Sequence, residues 1–277
     1  FLANIREVDA IIHVLRCFDN DNVVHVDGSI NPVRDKEVVD IELQLKDLET
    51  VENRISKLQK QAKVGGDKVA QRTIAIAEKL KEVLVMGKSA RTLHLSEEEE
   101  LLIHDFFLIT RKPVLYVCNV DEASAVTGNK YTEMLKQSID DENAEILIIA
   151  AATEADIAEL ETYEEKQMFL EDLGLDEPGV NKLIQSAYRL LNLQTFFTTG
   201  ADESRAWTFV KGIKAPHAAG IIHSDFEKGF IRAEVIKYDD YVRLGSEAAC
   251  REAGKIYIEG KDYIVQDSDI MHFRFNV

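Results

Sequence analysis

The sequence predicts an α/β protein with a doubly wound parallel sheet, an inserted antiparallel helical hairpin and a smaller, strand-rich C-terminal domain. Three observations predict this class. Short apolar runs alternate with helical segments up to about residue 192, two amphipathic helical segments meet at Gly65-Gly66, and short strand-like runs alternate with turns after Leu193. With 277 residues, 45% of them apolar, the chain can bury one substantial core and a second, smaller one.

Three runs predict the strands of the parallel sheet: Ala10–Cys17, Pro113–Cys118 and Glu145–Ala150. Each is short and rich in Ile, Leu and Val, which is typical of strands buried on both faces. Ser96 followed by four glutamates predicts a capped helix with an acidic first turn, and Pro178–Leu191 predicts a final helix. Ligands of such sheets bind beyond the carboxyl ends of the strands.

The inserted hairpin is predicted from apolar residues that step by three and four along both of its segments. The first series is Val38, Ile41, Leu45, Leu48, Ile55, Leu58 and Ala62, and the second is Val69, Thr73, Ile76, Leu80 and Val83. Residues 51–91 carry ten basic and four acidic side chains in a chain whose net charge is −17. This predicts either an arm with an anionic partner or a solvated helix face.

The C-terminal part contains six strand-like runs and one helix, Ala215–His223. The runs are Gln194–Thr198, Ala206–Val210, Arg232–Ile236, Lys255–Ile258, Tyr263–Val265 and His272–Phe275.

Composition excludes several classes of protein. No stretch of eighteen apolar residues predicts a membrane span, and the first residues do not have a signal-peptide layout. The three cysteines, Cys17, Cys118 and Cys250, are far apart, which favours a reducing compartment without a disulfide framework or a zinc site. We therefore expect a cytoplasmic protein.

The most informative motif is Asn119-Val120-Asp121-Glu122, which follows the second predicted strand. P-loop GTPases have Asn-Lys-x-Asp at this place, and the Asp carboxylate accepts two hydrogen bonds from guanine. Here Val120 replaces the Lys and Glu122 replaces the Asp, which predicts a nucleotide pocket whose preference has moved away from guanine. The alternative is a strand-terminal loop whose polar residues only cap local structure.

Several long blocks along the whole chain resemble the YchF subfamily of Obg-like P-loop ATPases and GTPases. They are Phe1–Glu7, Asp9–Arg16, His25–Gly28, Asn31-Pro32, Ile157–Leu160, Leu175–Asn181, Asp225–Val235, Tyr263–Asp267 and Met271–Phe273. The resemblance implies a P-loop NTPase-type sheet and a nucleotide site that prefers ATP to GTP. The side chains of Asn119 and Glu122, the backbone of Val120 and the loop Ala150-Ala151-Ala152 would lie nearest the base.

The resemblance also implies a phosphate-binding P-loop and magnesium ligands, but the sequence has no G-x-x-x-x-G-K-[ST]. The single Gly-Lys-Ser, Gly87-Lys88-Ser89, has Glu82 where the first glycine should stand, and a helical pattern precedes it. We therefore expect that the sequence is truncated at its N-terminus and that it contains no catalytic residue. The full-length protein would hydrolyse ATP with Mg²⁺, whereas this chain alone would be inactive.

The resemblance implies a C-terminal TGS domain, a β-grasp (ubiquitin-like) module. We expect three parts: a nucleotide-binding domain formed by 1–35 and 92–192, a coiled-coil hairpin of 36–91, and the TGS domain of 193–277. The expected function is that of a ribosome-associated ATPase, and the alternative is a non-catalytic scaffold for ribosome, RNA or protein partners. Neither a membrane nor a specific DNA partner is indicated. The candidate contacts with ribosomal RNA are Lys60, Lys63, Lys68, Arg72, Lys228 and Arg232.

Overall fold

The computed structural model describes residues 2–25, 28–65, 67–139, 144–200 and 203–276, with only the backbone described at 2, 3 and 63–65. Phe1, Val26 and Asp27, which contribute to the family resemblance, and Gly66 of the predicted hairpin turn lie outside these ranges. The chain forms two compact units, Phe1–Leu190 and Leu191–Val277. Within the described ranges, no helix is both long enough and apolar enough to cross a membrane.

The first unit contains three strands and eight α-helices in its described part. In chain order they are α1 (Leu2–Arg6), β1 (Ile11–Arg16), α2 (Pro32–Gly65), α3 (Lys68–Val85), α4 (Glu97–Ile103), β2 (Val114–Asn119), α5 (Lys130–Ser138), β3 (Glu145–Ile149), α6 (Ala151–Glu159), α7 (Tyr163–Asp172) and α8 (Gly179–Leu190).

The sheet of the first unit is parallel, with the order β1-β2-β3. All three predicted strands are confirmed to within two residues at each end. The central strand β2 is buried on both faces, with Leu115 and Tyr116 fully buried. One face packs against Leu135 of α5, and the other packs against Leu183 and Leu190 of α8. This burial fixes the strand ends, which is what positions the loops beyond them.

The hairpin is formed by α2 and α3. Its structure shows that part of the predicted apolar seam is wrong. Thr73, Ile76 and Leu80 of α3 are buried as predicted, but Val38, Ile41 and Leu45 of α2 are 51%, 54% and 60% exposed. The reason is that α2 has 34 residues and α3 only 18, so the first turns of α2 have no α3 beside them. In this part α2 lies against β1 and α5 and buries a different stripe, which contains Lys36, Leu43, Gln44 and Asp47.

The predicted Ser cap is confirmed at α4. The Ser96 side chain accepts from the Glu99 backbone N–H, and the Glu99 carboxylate accepts from the Ser96 N–H, which makes a capping box. The acidic run is therefore explained by helix-terminus chemistry.

The second unit is a five-stranded mixed sheet with the order β5-β4-β8-β6-β7. Its elements are β4 (Leu193–Thr199), β5 (Ser204–Val210), α9 (Ala215–Ile222), α10 (Ser224–Lys228), β6 (Phe230–Ile236), α11 (Tyr238–Leu244), α12 (Glu247–Glu252), β7 (Tyr257–Glu259) and β8 (Ile270–Phe275). Phe196, Phe209 and Phe273 pack on one sheet face together with Ala218 and Ala219 of α9. The identification of this unit as a TGS domain stays a prediction.

One predicted strand is wrong, because Tyr263–Val265 does not join the sheet as a strand. Its backbone bonds go to the segment before α9: the Val265 N–H donates to Ile213 O, and the Tyr263 carbonyl accepts from the Ala215 N–H. Only an isolated bridge, Lys214 to Ile264, resembles strand pairing. The run Tyr263–Val265 therefore pairs with the segment that precedes α9 and does not form a β-ladder with the sheet.

Candidate functional site

The loops that follow β1, β2 and β3 meet at the carboxyl edge of the sheet. The ladder continues past the strand ends: the Cys17 N–H donates to Asn119 O at 2.8 Å, and the Val120 N–H donates to Ile149 O at 2.9 Å. These bonds hold the residue after each strand beside its neighbour. In parallel α/β sheets this edge is where ligands bind.

Asn119 joins the loops after β2 and β3. Its Oδ1 accepts a hydrogen bond from the Ala151 N–H at 3.0 Å. Because only the oxygen of the amide can accept from an N–H, this bond also fixes the position of Nδ2. Within the described ranges Nδ2 has no protein acceptor, so this donor remains available to a ligand.

Val120 can contribute less than its position predicts. Its side chain is buried, at 3% exposure, and its N–H is used by Ile149. Of the Val120 backbone, only the carbonyl oxygen therefore remains for the predicted contact with a base.

The two carboxylates of the motif have different surroundings. Asp121 precedes a single 3-10 turn, Glu122–Ser124, and its Oδ1 accepts from the Ser124 N–H at 2.9 Å. The Glu122 side chain is exposed. Asp121 therefore caps the turn. Both side chains are exposed, and Glu122 makes no hydrogen bond in the described part of the chain.

The loop after β3 supplies methyl groups, backbone donors and one unpartnered hydroxyl. Ala150 is buried, whereas Ala151 and Ala152 are exposed at the start of α6. Glu154 donates the first intrahelical bond, to Ala150 O, so the N–H groups before it have no acceptor inside the helix. The Thr153 Oγ1 is buried without a hydrogen-bond partner in the described part of the chain.

Beside these loops lies a cavity of about 260 Å³. It is lined by Phe18, Asp19, Asp121, Ser124, Asn129, Lys130 and Tyr131. A larger cavity of about 620 Å³, lined by residues such as Asp9, Leu101 and Lys112, lies at the amino ends of β1 and β2. Since it is at the other edge of the sheet, we do not assign it to the nucleotide.

Sequence reasoning missed Asn129, which ties the loops after β1 and β2 together. Its Nδ2 donates to Cys17 O at 2.7 Å, while its Oδ1 accepts from the N–H groups of Tyr131 and Thr132 at 3.0 and 3.3 Å. Part of the signal was present, because Asn is a favoured N-cap residue, and the structure adds a box with Thr132 at the start of α5.

The loop after β1 is held by Arg16. Its guanidinium donates to the carbonyls of Phe18, Asn20 and Val23 at 3.1, 3.1 and 2.8 Å. At the same loop the Tyr131 hydroxyl donates to Asp19 at 2.6 Å and lowers the pKa of that carboxyl. Asp19 is therefore ionised at neutral pH and places a negative charge at the rim of the cavity.

The predicted RNA contacts are exposed wherever they are described. Lys60 lies near the end of α2, and Lys68 and Arg72 lie at the start of α3, so the three share one end of the hairpin. The Lys63 side chain lies outside the described residues. Arg72 is 3.4 Å from the exposed Glu98, whose weak attraction leaves it accessible. Lys228 and Arg232 are exposed in the second unit.

The chain is similar over its whole length to several known proteins. It is 50% identical over 279 residues to the "Ribosome-binding ATPase YchF" of Bacillus subtilis (strain 168), covering 100% of the chain and 76% of that protein. It is 52% identical over 277 residues to the protein of the same name from Haemophilus ducreyi (strain 35000HP / ATCC 700724), with the same coverage. It is 41% identical over 281 residues to "Obg-like ATPase 1" of Gallus gallus, covering 100% of the chain and 70% of that protein.

The fold comparison agrees. The solved "Structure of the Schizosaccharomyces pombe YchF GTPase" superposes with a TM-score of 0.88 at 36% identity, covering 99% of this chain and 74% of that one. A family profile described as "YchF-GTPase_C: Protein of unknown function (DUF933)" matches residues 193–276.

Proposed function

Because the chain belongs to the YchF family of Obg-like ATPases, we propose that it acts as a ribosome-associated ATPase whose nucleotide base binds at the carboxyl edge of the β1-β2-β3 sheet. The observation that carries this proposal is the Asn119–Ala151 hydrogen bond. It fastens the two loops that would enclose a base and leaves one amide donor available.

The arrangement suits adenine better than guanine. Adenine presents an amine donor next to a ring acceptor, whereas guanine presents an oxygen in place of that amine. The Val120 carbonyl can accept from the amine of adenine but would repel the guanine oxygen, and the Asn119 Nδ2 can donate to a ring nitrogen. The exposed, longer Glu122 replaces the carboxylate that would hold guanine, which further favours ATP.

The alanines complete the proposed base site. Ala151 and Ala152 are exposed and offer methyl surface against the flat base.

The residues of this edge hold and orient the base rather than move a proton. ATP hydrolysis needs Mg²⁺ at the phosphates to neutralise the charge that develops there. We propose that Mg²⁺ accompanies the nucleotide. The described residues contain no cluster of three or more His, Cys, Asp or Glu suited to a metal, so none of them is assigned to it.

We further propose that the hairpin of 36–91 contacts ribosomal RNA through Lys60, Lys63, Lys68 and Arg72, with Lys228 and Arg232 of the proposed TGS domain, 193–277, as additional contacts. Residues 1–35 and 92–192 would then form the nucleotide-binding domain. The charge distribution supports separate roles for the hairpin and the nucleotide-binding domain. Ten basic side chains lie between residues 51 and 91 of a chain that has 50 acidic and 33 basic residues. A protein that works on ribosomes in this way acts in the cytoplasm.

Two measurements on the same protein test the proposal. Amide NMR spectra recorded during titration with ATP and with GTP should show the Ala151, Ala152 and Glu122 signals moving, with ATP binding at least as tightly as GTP. Sedimentation with ribosomes should bring the protein down at low salt. Ribosome binding without any nucleotide-induced change at these amides would instead favour the non-catalytic scaffold.

A further inference from the structure

One carboxylate connects the helix that begins at the proposed base site to a second helix that packs on the sheet. Glu154 lies in the first turn of α6, three residues after Ala151. Its Oε1 accepts from the Gly179 N–H at 2.6 Å, and its Oε2 accepts from the Val180 N–H at 3.1 Å. These are the first two N–H groups of α8, and no carbonyl of that helix can accept from them. Glu154 of α6 therefore caps α8.

The helix α8 gives this cap a fixed support, because its Leu183 and Leu190 pack against β2 and β3. A negative charge at the amino end of a helix also interacts favourably with the helix dipole. β2 is in addition the strand that ends at Asn119, whose amide oxygen accepts from the Ala151 N–H. The start of α6 is therefore held at two places, by Asn119 at its first residue and by α8 at its fourth.

A glycine makes room for the carboxylate of Glu154. Gly179 is buried, and a Cβ atom at this position would lie 2.8 Å from Oε1 of Glu154 and 3.2 Å from Cγ2 of Ile149. The first distance is shorter than van der Waals contact, so a methyl group at residue 179 would push the carboxylate away. Gly179→Ala therefore breaks the cap while Glu154 itself is unchanged.

A second carboxylate contacts α8 without touching α6. Glu145, the first residue of β3, accepts from the Ser186 hydroxyl at 2.8 Å and from the Arg189 guanidinium at 2.5 Å. Both partners lie in the C-terminal half of α8, away from Gly179. If the Glu154 cap only stabilised α8, the loss of either carboxylate should affect the rest of the first unit in a similar way. The two carboxylates therefore distinguish support of α8 from positioning of α6.

We propose that Glu154 is a positioning residue for the base, which acts through the first turn of α6 and the Ala151 N–H. This inference rests on the proposed function, since it concerns the same loop, and it adds a residue whose two carboxylate oxygens are both used by α8. With the cap in place, the methyl groups of Ala151 and Ala152 are already positioned when the base arrives. Without the cap this turn has to become ordered on binding, and the ordering lowers the affinity.

The test uses the whole chain, with Glu154→Ala and Gly179→Ala as two independent ways to break the cap. The matched control is Glu145→Ala, which removes a carboxylate contact from the same helix. Circular dichroism and thermal melting check that all three variants keep the fold. Without nucleotide, hydrogen exchange at the Ala151 amide should be about tenfold faster in both test variants, because local opening becomes easier. In the control it should proceed at the wild-type rate.

Calorimetric titration with ATP gives the second measurement. Both test variants should bind ATP about tenfold more weakly than the wild type, which is the loss expected when binding has to order one mobile turn. The control should bind as the wild type does. Because ATP is an anion, removal of a nearby carboxylate would by itself favour binding. A fall in affinity in Glu154→Ala therefore has the opposite sign to the electrostatic effect and reports the geometry of the loop.

Wild-type exchange at Ala151 in either test variant, or an equal acceleration in the control, would overturn the proposal, since Glu154 would then only cap α8. Wild-type ATP affinity in either test variant would also overturn it. If ATP still shifts the Ala151 and Ala152 amides of the wild type in that case, this inference fails and the proposed function stands. If ATP shifts neither amide of the wild type, the proposed function fails and this inference fails with it.

Discussion

Asp47 and Thr110 are joined by two hydrogen bonds across 63 residues of sequence. Oδ2 of Asp47 accepts from the Thr110 N–H at 2.6 Å and from its hydroxyl at 2.7 Å, and Oδ1 accepts from the Ile109 N–H at 2.9 Å. Asp47 is fully buried in the middle of α2, and Thr110 lies in the turn that precedes β2. The hairpin is thereby fastened to the beginning of the strand that ends at Asn119.

Asp47→Ala should destabilise the first unit, because two buried N–H groups and a hydroxyl lose their acceptor. We expect the free energy of unfolding to fall by about 3 kcal/mol, and by about half of that for Asp47→Asn, which keeps one acceptor oxygen. Urea denaturation followed by circular dichroism measures both. A loss below about 1 kcal/mol for the alanine variant would mean that water replaces the carboxylate.

Substitutions of Asn119 distinguish its two roles, which are the hydrogen bond that joins the loops after β2 and β3 and the proposed contact of Nδ2 with the base. Asn119→Asp keeps an acceptor for the Ala151 N–H but loses the Nδ2 donor, whereas Asn119→Ala loses both. Both should weaken ATP binding about tenfold, which corresponds to one hydrogen bond. Only the alanine variant should accelerate hydrogen exchange at Ala151. Wild-type ATP affinity in Asn119→Asp would show that Nδ2 does not contact the base.

Exchanging the motif toward the GTPase pattern should change the base preference. Val120→Lys with Glu122→Asp should raise the ratio of GTP to ATP affinity at least about tenfold, because a shorter carboxylate can accept two hydrogen bonds from guanine. Calorimetry with both nucleotides measures the ratio. Glu122→Asp alone is the control for folding, since Glu122 is exposed and Val120 is buried. A strong GTP preference in the wild type would contradict the proposed adenine contacts.

Charge reversal at the end of the hairpin should abolish ribosome sedimentation. The variant carries Lys60→Glu, Lys63→Glu, Lys68→Glu and Arg72→Glu, and its matched control exchanges the same lysines for Arg and Arg72 for Lys. The control keeps the charges and should sediment as the wild type does, with a log–log salt slope of about 0.7–0.9 per phosphate contact. ATP-induced amide shifts should be unchanged in both. If the reversed variant sediments normally at low and moderate salt, the basic residues only solvate the hairpin.

The second unit should lose stability at alkaline pH through Tyr263. Burial, with a hydrogen bond to the Asp269 carboxylate, raises the pKa of Tyr263 to about 12 from a usual value of 10.0. Between these values the unfolded chain releases the phenolic proton and the folded chain keeps it, so stability falls as pH rises through that window. Tyr263→Phe removes this part of the pH dependence. Urea unfolding at a series of pH values should show a shallower decline in the variant, and an equal decline would place the cause elsewhere.

Much of the sheet was predictable because the sequences of β1, β2 and β3 show continuous apolar runs. Of the three strands only β2 is buried on both faces, since Ile12 and Val14 of β1 are 45% and 61% exposed. The buried seam of α2 was not predictable. Periodicity shows that Val38, Ile41 and Leu45 share a stripe, but it cannot show which elements lie beside that stripe. In the site, the spacing of Asn119 and Glu122 was readable. The Asn129 bond to the Cys17 carbonyl was not, because the fold brings that carbonyl near from another loop. The Arg16 bonds were not either, because they depend on the conformation of the loop that follows Arg16.

The bond between Asn119 and Ala151 has a kinetic consequence. Two loops that are already fastened lose little conformational entropy when a base enters between them, so the encounter does not wait for a rearrangement. Differences in affinity among nucleotides should then lie in their residence times and hardly in their association rates. Cutting this bond would convert a ready pocket into one that must close after the nucleotide arrives, and association would become the slow step.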